Sequence, residues 1–302
     1  MKVPRRAWLT LALLAVGCEL QEVQLAESED LVIAEVVLRT GAPNQVAWLH
    51  RTRGSAHKDP LVENATVRVY NASNAVLELR PAADESCIIA RDDTEPETHG
   101  SCYASGIGGM PVQPGQTYRL SVVLPDGRTL TGSTTVPNDF QMLRPATSVC
   151  SVPALTPFDV SWSISPGAWV YAAETSLRGI RAALEPHNVS VDRDPLRLFG
   201  LSLSARDTSI AFPAEFGLFD RFDEDLVEVL TFLQRGLPEG VIAGVVIAAA
   251  DRNYVNWERG GNFNPSGPVR VPSVHGDGTG VFGALVPKAF QVRVAEPERT
   301  PC

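Results

Sequence analysis

Three glycines near the end of the chain, Gly278, Gly280 and Gly283, spell G-x-G-x-x-G within VHGDGTGVFGAL, residues 274–285. That spacing is used to cradle a pyrophosphate, but only between a strand and a helix, with an acidic residue about 20 positions on. Here Pro272 lies just upstream, Pro287 opposes a helix downstream, and 19 residues remain after Gly283. A βαβ unit does not fit, so the glycines are read as a turn-and-strand element with Phe282 as a core anchor.

The other residues that could do chemistry are dispersed. No G-x-S-x-G, H-E-x-x-H or Walker loop occurs. His50, His57, His99, His187 and His275 are scattered, none at ligand spacing from another. Cys87, His99 and Cys102 (C-x11-H-x2-C) match no zinc spacing. The carboxylates Asp220, Asp223, Glu224 and Asp225 read as favourable charge at a helix N-terminus before they read as a cation site. Asp92, Asp93, Glu95 and Glu97 read as a solvated loop. Tyr254 and Trp257 are the candidate ligand contact, an aromatic platform, although three residues apart beside a strand they equally suit a core. No catalytic, cofactor-binding or metal residue is assigned.

The strongest chemical signal is at the start. In MKVPRRAWLTLALLAVGC a basic segment (Lys2, Arg5, Arg6) precedes a short apolar run from Trp8 to Val16, then Gly17 and Cys18. This is the pattern of a secretory signal peptide, too short to span a bilayer comfortably. A cysteine directly after small residues resembles the lipobox of bacterial lipoproteins. The position three before it, usually Leu, is Ala15 here, with Leu14 one place earlier. The resemblance implies cleavage after residue 17 and lipidation of Cys18, and two or three acyl chains hold a protein stably on a membrane. Residues 18–30 are polar and acidic and read as a flexible tether.

The net charge is −9. Loss of the three leader cations brings 26 basic residues to 23 against 35 acidic ones, a balance of −12. Phosphate backbones repel such a surface, so nucleic acid is not an expected partner.

An exported chain meets oxidising conditions, so Cys87, Cys102, Cys150 and Cys302 are expected to pair. Of three possible pairings, Cys87–Cys102 is favoured because the two are near in sequence and flank an acidic loop. Cys150–Cys302 would then tie the start of a C-terminal domain to the last residue.

The elements point to a mainly β fold in two domains. Residues 31–137 open with a strand-rich apolar run, LVIAEVVL (31–38), and alternate at period two in NATVRVY (64–70) and QTYRLSVVL (116–124). The last joins RTLTGSTTV (128–136) through Pro125-Asp126-Gly127. This predicts an antiparallel β-sandwich of immunoglobulin-like or transthyretin-like type. Residues 138–149, with Pro145, read as a linker. Residues 150–302 read as a second β-rich domain. It has strands at 158–165 and 241–250, a helix near 223–235 that stops at Gly236, and a short helix in DRNYVNWERGG.

The lipobox cysteine, LVIAEVVL, ENATVRVYN, VQPGQTYRLSVVLPDGRTLTGSTTVP, AAADRNYVNWERGGN and the terminal GDGTGVFGAL occur in this order. In this the chain resembles a Gram-negative lipoprotein family catalogued as domain of unknown function 4249. The resemblance implies an outer-membrane lipoprotein, often encoded near TonB-dependent receptors, and carries over no catalytic residue. The expectation is a non-enzymatic envelope lipoprotein that binds a ligand or partner and supports a nutrient-uptake receptor. A purely structural envelope scaffold is one alternative. A hydrolase of exported polymers, its carboxylate pair drawn from distant segments, is the other.

Overall fold

The computed structural model describes residues 30–52, 60–91, 100–214, 226–262, 270–295 and 300–302. The leader, Cys18, most of the tether, His57, His99 and both acidic clusters lie outside the described residues.

The N-terminal strands are β1 (Val32–Arg39), β2 (Val46–Arg51), β3 (Thr66–Tyr70), β4 (Val76–Ala82), β5 (Ser101–Ser105), β6 (Thr117–Val123) and β7 (Thr129–Thr135). Helix α1 (Asp84–Arg91) lies between β4 and β5. Then come β8 (Met142–Arg144), β9 (Val149–Val152), β10 (Phe158–Trp162) and β11 (Val170–Arg178). Helix α2 (Ile180–Leu184), β12 (Leu196–Leu201), β13 (Ser209–Phe212), α3 (Leu226–Leu233) and β14 (Ile242–Ala250) follow. The chain closes with α4 (Arg252–Asn262), β15 (Val274–Gly276) and the 17-residue β16 (Gly278–Val294).

The fold is mainly β, as the period-two patterning predicts. One sheet runs β12-β11-β14-β16-β1-β2-β5-β4-β3-β6-β7-β15, with β9 also on β16. A second, three-stranded sheet runs β13-β10-β8. Alternation becomes burial directly: Val32, Ala34, Val36 and Leu38 of β1 face the core. Tyr118, Leu120 and Val122 of β6 join the same cluster. The long sheet folds over this core as a sandwich. Gly132 on β7 lies against Phe282 on β16, where a Cβ on the glycine would stand 3.1 Å from the Phe282 Cβ. Phe282 is fully buried, the core anchor its apolar context predicts.

Three features go beyond the sequence expectations. First, β16 pairs with β1 in parallel, from Val32↔Gly278 to Arg39↔Leu285, and with β9 in parallel, whereas the other strand pairs are antiparallel. Second, β16 also pairs with β14 from Leu285 to Arg293, so one strand serves the sheet of both halves and one core cluster spans them. Third, residues 138–149, expected as a linker, contain β8 and the start of β9.

Both favoured disulfides are present. Cys87–Cys102 fastens α1 to β5 across a Cα–Cα distance of 5.8 Å, beside the buried Trp48. Cys150–Cys302 spans 4.9 Å between Cα atoms and 152 residues of sequence. The final residues are also hydrogen-bonded to β9: the Ser151 N–H donates to Thr300 and the Cys302 N–H to Ser151.

Candidate functional site

The segment turns at Asp277 between β15 and β16, and the three glycines of the motif all lie on β16. Gly278 and Gly280 stand opposite Val32 and Ala34 of β1. A Cβ on Gly278 would collide with the Val32 carbonyl and come within 2.6 Å of Leu130. Gly280 has φ +137° and lies against the Ala34 backbone, where a Cβ would stand 2.7 Å from its nitrogen. Gly283 meets α4 instead, at Tyr254. Three glycines let one strand and one helix approach the backbone of β16 more closely than any side chain permits. Among the described residues they lead into the long strand β16 and not into a helix, so the strand–loop–helix cradle that their spacing suggests is not built there.

Asp251 ties this segment together. It precedes α4 and accepts the Tyr254 N–H at 2.9 Å, which caps the helix. The same oxygen accepts the Ala284 N–H at 3.0 Å, and the other accepts the Thr134 hydroxyl at 2.6 Å. Its own N–H donates to the Ala284 carbonyl at 3.0 Å. One carboxylate thereby joins β7, β16 and α4. Burial pushes its pKa above the ordinary aspartate value, against the opposing effect of these hydrogen bonds.

Tyr254 and Trp257 do not form an open platform. Tyr254 is buried among Val170, Ala172, Leu201, Ala248 and Leu285. Trp257 is also buried, and the Arg270 guanidinium sits 4.7 Å from its ring centroid. Helical spacing placed both on the face of α4 that packs on the sheet.

Arg270 also lies 3.6 Å from the Glu35 carboxylate, which in turn is 3.5 Å from His50 Nε2. Glu35 projects from β1 on the face opposite the main core, and His50 from the neighbouring β2. The grouping of an acid, a histidine, an arginine and an indole was invisible in the sequence, where they are up to 235 positions apart. The Glu35 and His50 side chains are 11% and 7% exposed, so the cluster pairs a buried carboxylate with the more exposed Arg270.

Among the described residues, a groove of about 390 Å³ lies between the second sheet and β16. Phe140, Met142 and Pro145 form one wall and Ala289 and Phe290 the other. Lys288 Nζ reaches across to Asp139 at 2.7 Å and stands 5.8 Å from the Phe140 ring centroid. Nothing in the expected site residues anticipated it. The available signal was Pro287, a proline inside an otherwise strand-like run.

Fold and cysteine pairing together define a mainly β, disulfide-bonded sandwich protein. Residues 19–164 match the model of a family described as Domain of unknown function (DUF4249). That match runs from residue 19 through the N-terminal strands as far as β10, somewhat under half of the sequence. No curated protein matches the chain. Among solved structures it is similar to Dpr11 IG1 bound to DIP-gamma IG+IG2, at 10% identity over 88% of this chain and 98% of that one, with a TM-score of 0.19. It is also similar to the chicken CNTN1 FN1-FN3 domains, at 8% identity over 87% of this chain and 65% of that one, with a TM-score of 0.20.

Proposed function

We propose that the protein is a lipid-anchored lipoprotein of the bacterial outer membrane with a non-enzymatic binding or accessory role beside a nutrient-uptake receptor. The observation that carries the anchor is the cysteine pairing. Four of the five cysteines are spent on one another, Cys87 with Cys102 and Cys150 with Cys302. Cys18 is the fifth, and it stands where a lipobox places its lipidated residue. Two disulfides also suit an exported protein.

The tether fits the same reading. Twelve residues separate the Cys18 position from Leu31, a reach of at most about 45 Å when extended. The chain then enters β1, which lies between β16 and β2 in the middle of the long sheet. An anchor attached there holds the folded part as one body. The receptor role draws its support from the family resemblance, and the groove at Phe140 and Met142 offers a place for a partner.

The test is fractionation of cells expressing the wild type and Cys18→Ser, both grown with an alkyne-tagged palmitate. The wild type is expected to carry the tag and sediment with outer membranes, and Cys18→Ser to lose both properties. Equal membrane association of the untagged variant would overturn the anchor. Failure of the wild type to co-purify with any outer-membrane receptor after mild solubilisation would overturn the accessory role.

A further inference from the structure

We infer that the edge of β16 between Leu285 and Gln291 is a docking slot for an extended peptide segment of a partner protein, which adds to the sheet as a short strand. The inference gives the binding role above a partner class and rests on that role; it does not depend on lipid at Cys18.

On one side β16 is covered without interruption by β14, from Leu285↔Ala250 to Arg293↔Ile242. On the other side the cover is broken. β1 pairs with β16 up to Leu285, whose carbonyl accepts the Thr40 N–H at 3.1 Å. β9 takes over at Gln291, whose N–H donates to the Ser148 carbonyl at 2.8 Å. Among the described residues no strand pairs with the stretch between.

In an extended strand alternate residues point their N–H and C=O to the same side. Leu285 and Gln291 point toward β1 and β9, so Pro287 and Ala289 point the same way, into the gap. Pro287 presents a carbonyl, and Ala289 an N–H and a carbonyl. The position also accounts for the proline, because its missing N–H would face no neighbouring strand there.

Donor and acceptor groups repeating at strand spacing along one edge are the complement of a peptide backbone. The gap from Leu285 to Gln291 is about 20 Å long at strand rise, room for a short run of residues. Directly beside it lies the groove of Phe140, Met142, Pro145 and Phe290, with the Asp139–Lys288 pair across it. Backbone pairing would supply the affinity and the apolar walls would select alternate side chains. A volume of about 390 Å³ accommodates one or two of them.

The experiment pans a displayed library of random heptapeptides against the full mature chain. Enriched peptides are then measured by calorimetry, unmodified and with N-methylation at alternate amides, against the wild type, Ala289→Pro and Ala146→Arg. Ala289→Pro removes the donor in the gap, and Ala146→Arg fills the groove from an exposed position while leaving the β16 sequence unchanged. Binding is expected to weaken by about tenfold or more on N-methylation and in each variant, the loss of one or more hydrogen bonds or of the groove. Bound peptide is also expected to slow hydrogen exchange at the Ala289 amide. Should Ala289→Pro lower the melting temperature, N-methylation and Ala146→Arg decide alone. An unenriched library, or binding indifferent to N-methylation and to Ala146→Arg, would overturn the slot. Palmitate labelling of Cys18 is unaffected by either result, so the slot and the anchor fail separately.

Discussion

Gly283 of β16 and Tyr254 of α4 are in backbone contact: a Cβ on the glycine would stand 2.9 Å from the Tyr254 Cβ and 3.0 Å from its amide nitrogen. This contact lets α4 lie flat on the sheet. Gly283→Ala is therefore expected to cost about 1–3 kcal/mol through overpacking. Gly106→Ala, where a Cβ meets nothing within 4 Å, is the control and should stay within about 0.5 kcal/mol. Thermal unfolding of the two variants checks the difference, and equal melting temperatures would remove the packing account of the glycine motif.

Asp251 offers a prediction with a definite sign in pH. Its carboxyl is held above the ordinary aspartate value, chiefly by burial. The protonated form is favoured on folding, so this contribution is complete below the unfolded value and fades as pH rises through the higher folded one. Acidification across that window should add stability from this one group, and Asp251→Asn should abolish that component. Urea unfolding of both proteins at a series of pH values measures it. A steeper acid loss in the wild type than in the variant across this window would contradict the assignment.

Asp251→Ala should be much more costly than Asp251→Asn. It strands the buried N–H groups of Tyr254 and Ala284, at about 2–4 kcal/mol in all. Denaturant midpoints of the two variants rank them directly.

The two disulfides should differ in weight. Their loops close 15 and 152 residues, for which chain entropy suggests about 3 and 5 kcal/mol respectively. Paired serine variants, Cys87→Ser with Cys102→Ser and Cys150→Ser with Cys302→Ser, test the ranking by equilibrium unfolding. Greater loss from the shorter loop would show that its packing beside Trp48 outweighs chain entropy.

Much of the fold is legible in local pattern. The apolar runs 31–38 and 241–250 and the alternation in 64–70 and 116–124 become β1, β14, β3 and β6 within a residue or two. The apolar spacing in 223–235 becomes α3, and Gly236 ends it with φ +114°. Short elements without a full period escaped, among them β5, β12, β13 and α1. Pairing over long distance escaped for a different reason. Nothing local to Val32 says that its partner is Gly278, because register is set by whole-sheet burial.

The same limit governs the site. The three glycines were recognisable as packing residues from their surroundings. The Glu35–His50–Arg270 cluster and the uncovered edge at Ala289 exist only once β1, β2, β9 and β16 lie side by side. Pro287 was a visible hint, since a proline inside a strand marks an edge or an interruption.

The measurement that tests the central claim most directly is mass spectrometry of the N-terminal peptide from protein extracted out of membranes. The account predicts a mature chain that begins at Cys18, with diacylglycerol on its sulfur. A chain that retains Met1 to Gly17, or begins at Cys18 with an unmodified thiol, would contradict it.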